Sequence, residues 1–449
     1  MKICLIIVDC LRPDHLGCHG YERPTSPNLD ALARNSLVFE NAYAQSNWTY
    51  PSIYSMITGR YPSVLDINWF DQKISSTFVN LPEMLAENGF RTGIFSNFKV
   101  LLNQDSFCHH FQDKQEAHID EDSLALFQKW FQEHKDAFLI YHMADYVHEP
   151  FYAPKELVQK YLTSEKGGKY TQFSKTLDIL VKKSTSGNLL RNTIGKINKR
   201  LARLTCAEIE YLKASYDAGI FIADRFVGRL KESLDSCHDE YLLIVCADHG
   251  QAFMEHKVFG HGLTLYNEVI QVPLIIYYPG CTERRIAEYV QLMDLFPTML
   301  DYLQYEIPDG INGASFFPVF NGSQLGERVA FSEGYPHVCL QKSGYKLLTA
   351  YSKFWEQKFI SERFSDSWTN STLRNILNFT WKYRPSKLFD LQNDPQEIHN
   401  VRFSQRQIFS ELFNDMQQIM YKIRNDRVKA HSIHIDEAIQ DQLQKLGYL

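Results

Sequence analysis

Asn47-Trp48-Thr49-Tyr50-Pro51-Ser52-Ile53-Tyr54-Ser55-Met56-Ile57-Thr58-Gly59-Arg60 is the stretch on which the architecture turns. A hydroxyl residue stands just ahead of Pro and Ser, where the chain must turn, and Ile53, Met56 and Ile57 form an apolar face at near-helical spacing. A helix here places Thr49 at its N-terminus, where backbone N–H groups favour negative charge. Thr49 is then either a cap or a nucleophile. Asp9 before it and Asp248-His249-Gly250 far behind it bear on that choice, because each closes a short apolar run.

Those runs are strand-like. Ile3 to Asp9, Thr92 to Ser96, Phe138 to Asp145, Tyr241 to Asp248 and Val272 to Tyr278 are short and rich in β-branched and aromatic residues, as buried strands are. Helical patterns lie between them at Ser26 to Asn35, Leu81 to Asn88, Ser123 to Gln132 and Ala207 to Leu234. The alternation predicts an α/β fold, a large and mostly parallel sheet with helices on both faces. Three of the strands end in an acid, Asp9, Asp145 and Asp248, and ligands of open α/β sheets bind beyond the carboxyl ends of strands. All three acids are therefore expected at one sheet edge.

After about Leu303 the composition shifts. Val329 to Tyr335, Tyr345 to Tyr351 and Leu388 to Leu391 read as strands of a smaller α+β unit, with Gln405 to Arg424 as a helix upon it. The predicted division is a catalytic domain over residues 1–303, with a basic helical insertion at about 155–205, and a C-terminal subdomain over 304–449. An aromatic-rich insertion at about 353–385 belongs to the latter and reads as a local satellite core.

The 449 residues, 44% hydrophobic and 22% charged, are enough for one large domain and a companion. The net charge of −6 hides an asymmetry: residues 155–203 hold twelve Lys or Arg against three acids, so this segment carries +9 and the remainder about −15. The segment reads as a solvated helical excursion, with Lys196 to Leu204 amphipathic enough for peripheral contact with an anionic lipid or glycan surface. No nucleic-acid partner is expected. The apolar run Ile3 to Val8 is too short for a signal-peptide core or a membrane span, and nine cysteines without a Cys-x-x-Cys pair suit reduced thiols. The expected location is cytoplasmic.

Asp9, Asp248, His249 and the oxygen of Thr49 make a four-ligand set for one divalent cation, Mn²⁺, Zn²⁺, Mg²⁺ or Ca²⁺. Such a cation would lower the proton affinity of Thr49 and neutralise charge on an ester's non-bridging oxygen. Cys10 and Cys246 flank the expected site and read as buried small hydrophobes.

Asp9 to Tyr21 followed by Thr25-Ser26-Pro27-Asn28-Leu29-Asp30 resembles the opening of the sulfatase family in the alkaline phosphatase superfamily. Asp145-Tyr146-Val147-His148-Glu149-Pro150-Phe151, Phe259-Gly260-His261-Gly262, Leu265-Tyr266-Asn267-Glu268 and Leu388 to Glu397 resemble later family segments in the same order. The resemblance implies an alkaline phosphatase-like mixed sheet and cleavage of an anionic ester. It also places His148 and His261 beside the metal turn, stabilising the ester and leaving group or holding a second metal. Arg12 and Asn47 are weaker expectations for substrate binding.

Conventional sulfatases carry Cys or Ser, oxidised to formylglycine, where this chain has Thr49, and Arg where it has Ile53. Thr49 cannot mature in that way. Direct attack would leave a Thr ester, as in the superfamily's Thr-dependent phosphodiesterases and phosphoethanolamine transferases. The expected activity is a metal-dependent ester hydrolase, with phosphoesters or phosphodiesters first and sulfate esters second. The rivals are a phosphoethanolamine- or phosphoglycerol-type transferase acting on a glycan, and a catalytically silent binding protein. The substrate's remainder is expected to be an anionic glycan or lipid headgroup.

Overall fold

Lys2–Val8 forms strand β1, buried along its whole length, as a strand can be only in the middle of a sheet covered on both faces. The computed structural model describes residues 1–67, 72–103, 107–162, 204–334, 337–350, 386–432 and 437–445. Around β1 the large sheet is built from β2 (Leu37–Tyr43), β4 (Arg91–Ser96), β5 (Asp113–Glu116), β6 (Ala137–Met143), β7 (Tyr241–Cys246), β10 (Gln271–Tyr277) and β11 (Arg284–Gln291). Shorter strands are β3 (Gln72–Lys73), β8 (Ala252–Phe253) and β9 (Phe259–Gly260). The large sheet has the order β11-β2-β10-β7-β1-β6-β4-β5. β10 alone runs against its two neighbours, and the other pairs are parallel. A large mixed, mostly parallel sheet is thus present.

The five strands expected in this sheet form, shifted by a residue or two at their ends. β2, β5 and β11 were not expected. β2 is interrupted by Glu40 and Asn41, and β5 (Asp-Lys-Gln-Glu) and β11 (Arg-Arg-Ile-Ala-Glu-Tyr-Val-Gln) are the two edge strands, where half-wet positions accept polar residues and erase the apolar signal.

The helices are α1 (Pro27–Ala33), α2 (Thr49–Thr58), α3 (Pro62–Leu65), α4 (Leu81–Glu87), α5 (Glu121–Glu133), α6 (Lys155–Tyr161), α7 (Cys206–Ser236), α8 (Asn267–Ile270), α9 (Leu295–Tyr302), α10 (Arg406–Asp426) and α11 (Glu437–Lys445). α7 begins in a capping box in which Thr205 and Glu208 satisfy each other's backbone N–H. Its Asp224 carboxylate accepts from the backbone N–H groups of Asn28 and Leu29 at 3.0 and 2.8 Å, capping α1 from a neighbouring helix. Burial nevertheless pushes this carboxyl up to about 6. A raised carboxyl pKa means that the folded chain holds a proton the unfolded chain has released. Stability should therefore fall by up to about 3 kcal/mol as pH rises from about 4 to 6, then level off. Denaturant melts of wild type and Asp224→Asn across that window check it: the variant should lose this slope, and identical slopes would exclude Asp224 as its source.

The second sheet is antiparallel, in the order of β12 (Ala330–Gly334), β13 (His337–Lys342), β14 (Tyr345–Ala350) and β15 (Lys387–Asp390). It forms the separate C-terminal α+β subdomain, with Leu412, Met416, Met420 and Ile423 of α10 on that helix's buried face. β13 is the strand that the sequence reading lacked. Ser46, three residues before Thr49, bridges to Glu333 of β12, which ties the small sheet to the entry of α2. The tail then returns to the large domain. β16 (His431–Ser432) pairs with β3, and Gln442 of α11 donates to the Asn97 carbonyl and accepts from Lys99 N–H. The basic segment after 162 and the aromatic insertion at 353–385 lie outside the described residues; of the former only α6 and Leu204 onward are described.

Candidate active site

Every residue of α2 is buried, and its first residue, Thr49, is 0% exposed. The helix starts from an extended Trp48 that offers no side-chain cap, so the backbone N–H groups of its first turn stay aimed beyond its end. Thr49 therefore does not serve as the cap, one of the two roles open to it. Gly59 closes the helix at φ 63°, a left-handed conformation that suits glycine.

Facing Thr49 is the carboxyl edge of the large sheet. Asp9 follows β1, and Asp248 and His249 follow β7, its neighbour. Thr49 Oγ1 lies 3.2 Å from His249 Nε2, which is 3.5 Å from both Asp9 Oδ1 and Asp248 Oδ2. His249 Nδ1 donates to the Gly250 carbonyl at 2.9 Å, which leaves the Nε2 lone pair turned to this cluster. The four expected metal-site residues thus converge. Asp9 Oδ1 and Asp248 Oδ2 are buried without a hydrogen-bond partner. Burial, reinforced by neighbouring Asp248, holds Asp9 well above the ordinary carboxylate range. Two buried carboxylates with orphaned oxygens beside an imidazole lone pair fit a divalent cation.

His148 and His261 join this cluster, their ring centroids 4.9 Å apart and His261 4.5 Å from His249. His148 Nδ1 is 2.5 Å from the Glu149 carbonyl, an acceptor, so the proton sits on Nδ1 and the lone pair on Nε2. Gln251 fixes His261 in the same tautomer: its amide nitrogen donates to the Glu149 carboxylate and its Oε1 accepts from His261 Nδ1 at 2.9 Å. Burial lowers His148 to about 4 and His261 well below its usual value. Both rings are neutral near pH 7 and present acceptor nitrogens. Replacing Gln251 by Leu should leave the Glu149 carboxylate without this donor and the His261 ring untethered. Turnover (kcat/KM) should fall roughly 10- to 100-fold with the fold intact by circular dichroism. An unchanged kcat/KM would remove the Glu149–Gln251–His261 chain from the site's machinery.

Other residues fall elsewhere. Asp145 ends up on the far side of β6, accepting from Asn97 Nδ2 at 2.6 Å and Ile119 N–H at 3.2 Å, so it is a loop clamp and not a third site acid. Arg12 is spent on Asp14, Glu255 and the Gln251 carbonyl, each within 2.9 Å, and is 5% exposed; its guanidinium clamps the loop after Asp248-His249 instead of facing substrate. Asn47 neither caps the turn nor points outward. It donates to the Thr264 carbonyl at 3.0 Å, while its own carbonyl accepts from Gly262 N–H, so it positions the loop of His261. Glu255-His256 is structural, with His256 stacked 3.5 Å over Tyr266 and bonded to Glu268.

His142 escaped the sequence reading, and Cys10 lies deeper in the cluster than that reading placed it. His142 lies beside Ile7 in the β1–β6 register, and its Nε2, 3.7 Å from Asp9 Oδ2, is buried without a hydrogen-bond partner. An imidazole inside a wholly apolar strand was the only hint. Cys10, expected beside the site as a buried small hydrophobe, is buried and has Sγ 3.6 Å from His261 Nδ1 and 3.8 Å from His249 Nδ1. Cys10 adopts φ 63°, an unusual backbone for a residue with a side chain, and this turn carries Sγ into the imidazole cluster.

Mixed sheet, helical layers and a hydroxyl facing strand-end acids define a sulfatase-fold hydrolase. The chain belongs to the sulfatase family, whose model matches residues 2–305, and a model described as N-sulphoglucosamine sulphohydrolase, C-terminal, matches residues 254–362. Iduronate 2-sulfatase of Homo sapiens is 24% identical, over 90% of this chain and 82% of its own. An arylsulfatase of Clostridium perfringens is 21% identical over 96% of each. Among solved structures, phosphonate monoester hydrolase of Agrobacterium radiobacter matches with a TM-score of 0.68 at 15% identity, over 97% of this chain and 98% of that one. A protein solved in complex with its substrate D-glucosamine-2-N,6-O-disulfate matches with a TM-score of 0.66 at 16% identity, over 94% and 98%. No helix among the described residues is long and apolar enough to cross a membrane.

Proposed function

We propose that this chain is a metal-dependent hydrolase of anionic esters in which Thr49 is the nucleophile, with phosphoesters and phosphodiesters preferred over sulfate esters. The observation that carries the proposal is the uncapped helix start that holds Thr49 Oγ1 3.2 Å from His249 Nε2, itself 3.5 Å from both Asp9 and Asp248. Asp9, Asp248, His249 and Thr49 would hold the cation, which when bound supplies positive charge that acidifies the Thr49 hydroxyl and offsets charge on the ester oxygens.

Thr49 Oγ1 gives its proton to a neutral His148 or His261 nitrogen and forms a bond to the ester's central atom as the bond to the leaving alcohol breaks, and the protonated ring returns that proton to the alcohol oxygen. The first-turn N–H groups of α2 favour the charge that develops there. Water then displaces Thr49 from the covalent ester, and a neutral His148 or His261 nitrogen accepts a proton from it. Threonine favours phosphoryl chemistry because it has no aldehyde hydrate with which to expel sulfate by elimination. The iduronate 2-sulfatase and arylsulfatase similarities favour sulfated substrates as the second reading. A glycan or lipid headgroup as the substrate's remainder, a reducing cytoplasmic location and peripheral surface contact through residues 155–203 belong to the same proposal. They rest on charge and on eight free cysteines among the described residues.

The deciding experiment is a panel of nitrophenyl phosphate, phosphodiester, phosphonate and sulfate esters, each assayed after chelation and after return of Mn²⁺, Zn²⁺, Mg²⁺ or Ca²⁺. Chelation should abolish turnover, one cation should restore it, and phosphorus esters should lead. Sulfate leading by a wide margin would overturn the phosphoryl preference. Turnover that survives complete metal removal would overturn the metal role.

A further inference from the structure

A second cluster of imidazoles lies outside this site. The short 3-10 turn Phe107–His110, the start of α4 and the β3–β16 pair enclose a cavity of about 350 Å³ lined by Lys73, Glu83, His109, His110 and His431. The β-pair sets His431 directly opposite Lys73, so the returning C-terminal tail completes the cavity wall. One ligand atom from each of Glu83, His109 and His110 lies within 4.8 Å of the other two.

The hydrogen bonds around His110 orient it for a ligand. Asn80 caps α4 by accepting from Glu83 N–H at 3.1 Å, and its amide nitrogen donates to Glu83 Oε2 at 2.6 Å. This holds the carboxylate so that Oε1 sits 2.5 Å from His110 Nδ1, which donates to it as the nearer partner, the Asn80 amide nitrogen standing 3.0 Å from the same atom. The lone pair is then on Nε2, and that atom is buried without a hydrogen-bond partner, in a residue only 6% exposed. An imidazole nitrogen that has given up water and gained no protein partner is costly as it stands. A carboxylate that fixes one ring nitrogen so that the other presents its lone pair is the arrangement found behind metal-bound histidines.

We propose that His109 and His110, with Glu83 as the orienting carboxylate and His431 on the facing wall of the cavity, form a binding site for a transition-metal dication of the Zn²⁺ class, separate from the ester site. Imidazole-rich donors select Zn²⁺, Cu²⁺ or Ni²⁺ over Mg²⁺ and Ca²⁺, which favour oxygen ligands. The ion would clip the tail strand β16 to the large domain, and the His110 ring lies perpendicular to that of Tyr54, centroids 6.5 Å apart, in α2, the helix that begins at Thr49.

The test is equilibrium dialysis of the full chain against Zn²⁺ with elemental analysis, for wild type, His109→Ala, His431→Ala and Glu83→Gln. His109 and His431 are exposed, so their loss spares the core, and Glu83→Gln probes the carboxylate while keeping its size. Each variant should bind one equivalent roughly 100-fold more weakly than wild type while retaining the remaining metal and full ester turnover. Equal zinc content and affinity in all four proteins would overturn the site. So would a lost equivalent that takes ester turnover with it, because that ion would belong to Thr49.

Discussion

Thr49→Ala should lower turnover of the best ester by roughly ten-thousand-fold or more, since removing a nucleophile leaves only binding and electrostatic stabilisation. The replacement deletes one hydroxyl and one methyl from a fully buried position at the start of α2, where no side-chain cap is lost. Circular dichroism should therefore be unchanged, and Asp9, Asp248 and His249 should still retain metal. Wild-type protein quenched with acid during turnover of a phosphodiester should carry a phosphoryl group on Thr49, found by peptide mass spectrometry. Turnover in Thr49→Ala within tenfold of wild type would take the nucleophile's role from this residue. An inactive variant without any trapped ester in the wild type would leave Thr49 a metal ligand and reassign the attack to water.

Lys346→Met should cost about 3–5 kcal/mol of stability, because it strands a buried carboxylate. The Lys346 Nζ to Glu397 Oε1 ion pair spans 2.7 Å with side-chain exposures of 0% and 1%, and Nζ also donates to Asn267 Oδ1 at 2.8 Å. Glu397 in turn accepts from the Asn267 N–H at 2.6 Å and receives His256 on its backbone carbonyl. The pair thus fastens β14 and the loop after β15 to the start of α8, behind the segment that carries His261. The double variant Lys346→Met/Glu397→Leu should recover much of the loss, since two buried charges replaced by apolar groups of similar volume are often no less stable than the pair. Urea melts decide it. If the single variant falls by less than about 1 kcal/mol, the pair is not desolvated in the way its burial implies.

These two residues differ in how far the sequence announces them. Thr49 stands in a local pattern of hydroxyl, proline and helical apolar spacing that can be read without a fold. Lys346 lies in a strand of ordinary composition, and its partner is a Glu in an Asn-Asp-Pro-Gln-Glu turn 51 positions on. Nothing between them records that the two meet. The same holds around the ester site. Asp9 and Asp248 could be placed at the sheet's carboxyl edge because each ends an apolar strand. Asp145 ends one too, yet the loop after β6 turns it towards Asn97 and Ile119.

From the sequence alone follow the elements with strong apolar periodicity, the mostly parallel sheet they compose, and the acids and hydroxyl at their ends. Burial imprints itself on consecutive residues, so these features are local. Only the tertiary structure brings His142 beside Asp9, turns Cys10 towards two imidazoles, orients His261 through Gln251 and Glu149, and commits Arg12 to a loop clamp. Each of those depends on strand order and register between segments distant along the chain, and a side chain carries no mark of the partner that register will give it.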